Sequence, residues 1–151
     1  MATTYATLAD PVSAVVDLLS NNWSEVASGV GTTPTINASW DIGKHNLKGG
    51  DIIRCYETAS NHEFLGIGKG IDKNNATITV DISTAVSRAR LRNLYQGVVH
   101  IIHAAHSKSA GTALSSDYAS IKLLSRTDQS DKNRRWFRYV LNCEITSYEV
   151  V

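Results

Sequence analysis

The run from Thr77 to Ile145 constrains this chain more than any other stretch. Near its middle, Leu91, Leu94, Tyr95, Val98, Ile101, Ile102 and Ala105 recur at the three-and-four spacing of one stripe on an α-helix. Arg88, Arg92, Gln96, His100 and His103 occupy the other side. Strand patterns flank this helix. In Thr77–Ile82, Ile78, Val80 and Ile82 alternate with polar residues, and in Phe137–Ile145, Phe137, Tyr139, Leu141, Cys143 and Ile145 share one face. An amphipathic helix between half-apolar strands buries its stripe by lying on a sheet, so the pattern predicts a two-layer scaffold.

The rest of the chain extends that scheme. Asp10-Pro11 reads as a helix start, a capping carboxylate followed by proline at the first helical position. Val12, Val15, Val16, Leu19, Trp23 and Val26 follow at helical spacing, ending near Ser28-Gly29. Ile36, Ala38 and Trp40 alternate as a strand. Asp51–Glu57 and Phe64–Lys69 read as two more, with turns at Ser60–His62 and Asp72–Asn75. Ser83 or Thr84 is expected to cap the second helix, which runs to about His106 or Lys108, and Tyr118–Ser125 reads as a short strand. The expected order is α-β-β-β-β-α-β-β: an α+β fold with an antiparallel sheet and two helices packed on one face. The length suits a single domain over residues 1–151, with residues 1–9 an arm that orders only within an assembly.

Composition excludes several classes. With 15 basic and 14 acidic residues the chain lacks the basic excess of a free nucleic-acid binder. Hydrophobic residues at 42% argue against disorder. The first residues carry no signal-peptide pattern, and no segment is apolar enough to span a membrane. Cys55 and Cys143 fall at apolar strand positions and read as buried thiols, although a disulfide between them stays open.

Candidate chemistry is sparse. His100, His103 and His106 form a tempting cluster, but on a helix His106 is rotated about 120° from His100, which three ligands of one zinc do not tolerate. Gly66-Ile67-Gly68-Lys69-Gly70 lacks the spacing of a phosphate loop and precedes a strand. No nucleophile elbow is present. These observations predict no enzyme activity, no metal and no cofactor. The arginines at 88, 90 and 92, and those at 134, 135 and 138, suit phosphate or carboxylate contacts but equally suit ordinary ion pairing. Arg126–Arg134 contains no apolar residue and is expected to protrude, and so is the Gly-rich loop from Gly43 to Gly50.

Three stretches together resemble the tail-terminator and tail-completion (neck) proteins of tailed phages and related archaeal viruses. They are the helix leading to a strand from Asp10 to Trp40, the strand-to-helix passage from Ile78 through Arg92-Asn93-Leu94 to Ile101-Ile102, and the polar hairpin ending in Arg134–Leu141. The likeness is one of element order and local pattern over nearly the whole chain. It implies a non-enzymatic virion protein, assembled in the host cytoplasm and resident in the virion neck. Such a protein forms a homo-oligomer, a hexameric ring that stops tail-tube growth. Its partners are the tail-tube protein and the head-completion or connector protein, with transient non-specific contact with passing DNA and no membrane. On this reading Lys44, His45, Lys48, Arg126, Asp128, Asp131, Lys132 and Arg134 are candidate contacts between rings or subunits, and Arg88, Arg90 and Arg92 are candidate lumen or interface charges. A head-completion or tail-tube subunit, a small non-viral binding domain and an enzyme are the competing readings.

Overall fold

The computed structural model describes residues 10–26, 34–38, 50–65, 70–107, 118–131, 133 and 136–150. Helix α1 (Pro11–Val26) begins where the sequence places it. The Asp10 carboxylate accepts the Ser13 backbone N–H at 3.0 Å, as an N-cap should. Val12, Val15, Leu18, Leu19 and Trp23 line its buried side. Helix α2 (Arg88–His106) is capped by Ser87, whose hydroxyl accepts the Arg90 N–H at 3.1 Å. Ser83 and Thr84, the expected caps, remain in the sheet, paired with Arg138 and Phe137. Leu91, Leu94, Val98, Ile101, Ile102 and Ala105 are buried, as their spacing predicts.

Five strands follow the order β1 (Thr35–Ala38), β2 (Asp51–Leu65), β3 (Ile71–Thr84), β4 (Ser120–Asp128) and β5 (Phe137–Val150). They lie side by side as β1-β2-β3-β5-β4. The fold is α+β, with a largely antiparallel sheet and two helices. Three details differ from the sequence reading. The segment expected as a strand at Asp51–Glu57 and the start of the one expected at Phe64–Lys69 belong to one strand that runs through Ser60–His62 to Leu65, and residues 66–69 lie outside the described residues. Asp72–Asn75 likewise lies inside β3, because each polar residue there pairs across both β2 and β5. The β1–β2 pair is parallel, so the sheet is mixed. Trp40, the loop from Gly43, Ser28-Gly29 and residues 1–9 lie outside the described residues.

Cross-strand registry builds the core. Ile53, Ile82 and Tyr139 form one row; Cys55, Val80 and Leu141 the next. Ile78, Cys143 and Leu123 form a third, and Ala76, Ile145 and Ile121 a fourth. All four rows face α1 and α2, which pack against each other and together cover this one face. Cys55 and Cys143 are free buried thiols, and burial raises the pKa of each.

The opposite face is polar. Asp81 is 1% exposed, and Arg138 grips it bidentately, Nε to Oδ1 at 2.9 Å and a terminal nitrogen to Oδ2 at 2.7 Å. Arg54 approaches the same carboxylate at 3.2 Å. Beside it Thr79 donates to Asn142 at 2.9 Å, and Asn142 to Ser125 at 3.2 Å. Four adjacent strands, β2, β3, β5 and β4, are thereby tied by side chains as well as by their ladders.

Removing the shared carboxylate leaves two arginines facing each other. Asp81→Ala is expected to lower unfolding free energy by roughly 2–4 kcal/mol, less than for a fully buried pair because the arginines are about a quarter exposed. Urea denaturation measures it, and a loss under 0.5 kcal/mol would contradict this account.

Candidate functional site: an arginine–tyrosine cluster beside a surface pocket

The densest charged group on the helical side lies where the start of α2 crosses the ends of β4 and β5. Tyr139, buried on β5, meets Tyr95 of α2 edge to face, with ring centroids 5.5 Å apart and planes at 83°. Three arginines surround this pair. Arg126 stacks over both rings, 4.9 Å from the centroid of Tyr95 and 4.8 Å from that of Tyr139. Arg88 lies 5.8 Å from the Tyr139 centroid and donates to its hydroxyl at 3.4 Å; Arg92 lies 5.7 Å from Tyr95. Each cation–ring contact at such an exposed site contributes on the order of 0.5–1 kcal/mol. The rings therefore fix the stems of guanidinium groups that remain open to solvent.

Arg126 reaches this position through a β-bulge. Leu123 pairs with Cys143, but Ser125 pairs with Asn142, so one extra residue stands in β4. The bulge shifts the side-chain alternation, placing Arg126 opposite Leu141 on the helical face and leaving Leu124 48% exposed. Without it, Arg126 would point to the other face.

Next to the cluster is an open pocket of about 440 Å³ lined by Arg88, Asp128, Ser130 and Phe137. Arg88 donates to Asp128 Oδ2 at 3.0 Å, and the Ser130 N–H donates to Oδ1 at 3.0 Å. Hydrogen bonds from Ser130 and then from Arg88 hold the Asp128 carboxyl down at a pKa of about 2. The pocket thus holds an oriented ion pair and the Phe137 ring, while Arg92 and Arg126 stack on the neighbouring tyrosines. Planar donor groups of this kind suit carboxylates and phosphates.

Arg126 and Asp128 belong to strand β4, and Asp131 bridges to Trp136 beyond it, so the described residues of the polar segment expected to protrude are largely paired with the β5 side of the hairpin. Arg90 is drawn inward to Asp51, with a closest approach of 2.8 Å, and the two are only 13% and 12% exposed. Arg88 and Arg92 are exposed and join the tyrosine cluster. Lys44, His45, Lys48, Lys132 and Arg134 lie outside the described residues. His100, His103 and His106 sit on the exposed side of α2, with His106 bonded to the Ile121 carbonyl. Among the described residues no three potential metal ligands gather, and no helix is long and apolar enough to cross a membrane.

The comparisons with known proteins bear on the fold. No family model matches the chain, and no curated protein matches its sequence. In three dimensions it is similar to a chain of the virion of a native gene transfer agent particle, with a TM-score of 0.53. The match covers 91% of this chain and 94% of the other at 14% identity. The two chains therefore share a fold over nearly their whole lengths.

The Asp128 carboxyl yields a pH prediction. Its folded pKa is depressed, so its contribution to stability is present above the ordinary value of 3.8 and is lost as pH falls through about 2. The stability advantage of the native chain over Asp128→Asn should be constant from neutral pH to about 5 and shrink between about pH 4 and 2. Chemical denaturation at stepped pH tests this; an advantage independent of pH would contradict it.

Proposed function

We propose that this chain is a structural virion protein of the head–tail neck: a ring-forming tail terminator that caps the tail tube and joins it to the head connector. One observation carries the reading. The chain shares its fold, over 91% of its length, with a chain of a gene transfer agent virion. The neck-protein resemblance of the Asp10–Trp40, Ile78–Ile102 and Arg134–Leu141 stretches supports it. The structure adds a physical argument. The sheet face away from the core is held by Arg54 and Arg138 around the buried Asp81 carboxylate, and the charged groups with open donors lie at one end of the sheet. A rigid core with charged ends suits a subunit that must contact neighbours in its own ring and in the rings above and below.

In this role Arg88, Arg92 and Arg126 face a neighbouring subunit, and Asp131 with the adjoining hairpin faces the next ring. Lys44, His45, Lys48, Lys132 and Arg134 supply further contacts of the same kind. The two helices over one sheet face favour a terminator over a tail-tube subunit, whose ring is built from a closed β-barrel.

Multi-angle light scattering with negative-stain imaging of the same sample tests the reading. The expected result is six-fold rings with a central hole wide enough for duplex DNA, formed alone or on addition of the tail tube. A monomer or dimer that stays so in the presence of tail tubes would overturn it.

A further inference from the structure

Most arginines among the described residues meet a carboxylate. Arg54 and Arg138 share Asp81, Arg88 pairs with Asp128, and Arg90 pairs with Asp51. Arg92 and Arg126 are the described arginines left without one, and both stack on the same ring, that of Tyr95, at 5.7 and 4.9 Å from its centroid. Both are exposed. Helix α2 carries no Asp or Glu along its length, so none of its own side chains neutralises Arg92. On β4 the carboxylate next to Arg126 in the sequence is that of Asp128, which Arg88 and the Ser130 N–H already hold.

Two unpaired like charges repel, so they stay together only where something holds them. Here the hold is specific. Arg92 lies three residues before Tyr95 on α2, which places it over the ring, and the β4 bulge delivers Arg126 to the same ring from the sheet. Arg126 also lies 4.8 Å from the centroid of Tyr139, whose ring Tyr95 meets edge to face. Aromatic faces seat flat guanidinium groups and leave their N–H edges for an acceptor. The shape of the acceptor follows from this. A carboxylate presents two oxygens in one plane and suits one guanidinium fork. A phosphate group presents oxygens in several directions and accepts from guanidinium groups that approach from different sides.

We infer that Arg92 and Arg126, seated on Tyr95, form a binding site for a phosphate group. Arg88 is already neutralised by Asp128 and takes no part. The site is built within one subunit, so it stands whether or not rings form. In a ring, where Arg92 and Arg126 face a neighbouring subunit, a bound phosphate removes the repulsion that two bare cations would bring to the seam. The phosphate is either the free ion or part of a nucleic-acid backbone; the chemistry at the site is the same for both.

Thermal unfolding in rising concentrations of inorganic phosphate tests the site, with chloride and acetate series at matched ionic strength. Fluorescence polarisation of a short labelled DNA duplex is the second arm. Phosphate should raise the midpoint saturably where chloride and acetate do not. Arg92→Gln and Arg126→Gln should each weaken phosphate binding roughly tenfold or more. Lys122→Gln, which removes a cation paired with Glu144 instead, should leave it unchanged. Tyr95→Leu keeps both arginines and removes the ring; with an unchanged circular dichroism spectrum it should also weaken binding roughly tenfold, an effect that charge alone would not give. Duplex binding that phosphate competes away, and that the same variants weaken, identifies a nucleic-acid backbone as the source; phosphate binding without duplex binding identifies the free ion. Binding of neither, or binding that Arg92→Gln and Arg126→Gln leave unchanged, would overturn the site. Acetate acting as strongly as phosphate would overturn it in favour of a protein carboxylate. Ring formation is measured separately, by light scattering in phosphate-free buffer, so failure of the site and failure of the ring reading are distinguishable.

Discussion

The antiparallel register of β3 against β5 is the constraint on which the rest of this structure depends. It runs unbroken from Ile71 against Val150 to Thr84 against Phe137. Because side chains alternate along each strand, that single register decides which residues meet the helices and which meet solvent. It puts Ile78 beside Cys143, Val80 beside Leu141 and Ile82 beside Tyr139, under α2. It also puts Thr79 beside Asn142, and Asp81 within reach of Arg138, on the other side. A slip of one residue would carry Asp81 into the apolar core and Ile82 out of it. The Asp81–Arg138 bidentate pair therefore opposes slippage from the polar side, as packing does from the apolar side. Beyond the core, the same register carries β3 and β5 outward, with β2 alongside, to Ile71, Val150 and Leu65.

Much of this was legible in the sequence, for reasons tied to particular residues. The stripe Leu91–Ala105 is long and strongly periodic, and Asp10-Pro11 is a local capping signal, so both helices were clear. The alternation in Ile78–Ile82 and Tyr139–Ile145 marked the central strands and their buried faces. The full length of β2 and β3 was not legible. Ser60-Asn61-His62 and Asp72-Lys73-Asn74-Asn75 have turn composition, and only pairing with flanking strands makes them extended. The start of α2 was displaced for a similar reason. Ser83 and Thr84 are good caps, but ladder bonds to β5 and the Thr84–Asp51 hydrogen bond hold them in the sheet.

The candidate site was legible as residues and hidden as geometry. Arg88, Arg92, Arg126 and Asp128 stand out by charge alone. Their gathering depends on the β4 bulge, which inserts one residue and turns Arg126 over to Tyr95 and Tyr139. The sequence around Leu124 carries no mark of that bulge. Arg90 looks equivalent to its neighbours in the sequence, yet it turns inward to Asp51. The same spacing that groups three arginines on paper divides them between an internal ion pair and an exposed cluster.

On the ring-forming reading, one rigid two-layer core presents the arginine–tyrosine corner and the hairpin after β4 to neighbouring subunits. Hydrogen–deuterium exchange followed by mass spectrometry, on assembled and on diluted protein, tests this most directly. The expected result is added protection on assembly for amides 126–131 beside the pocket, while amides of the central strands under α2 remain equally slow in both states. No added protection at 126–131, or added protection found instead only at the far end of α2 around 100–106, would contradict it.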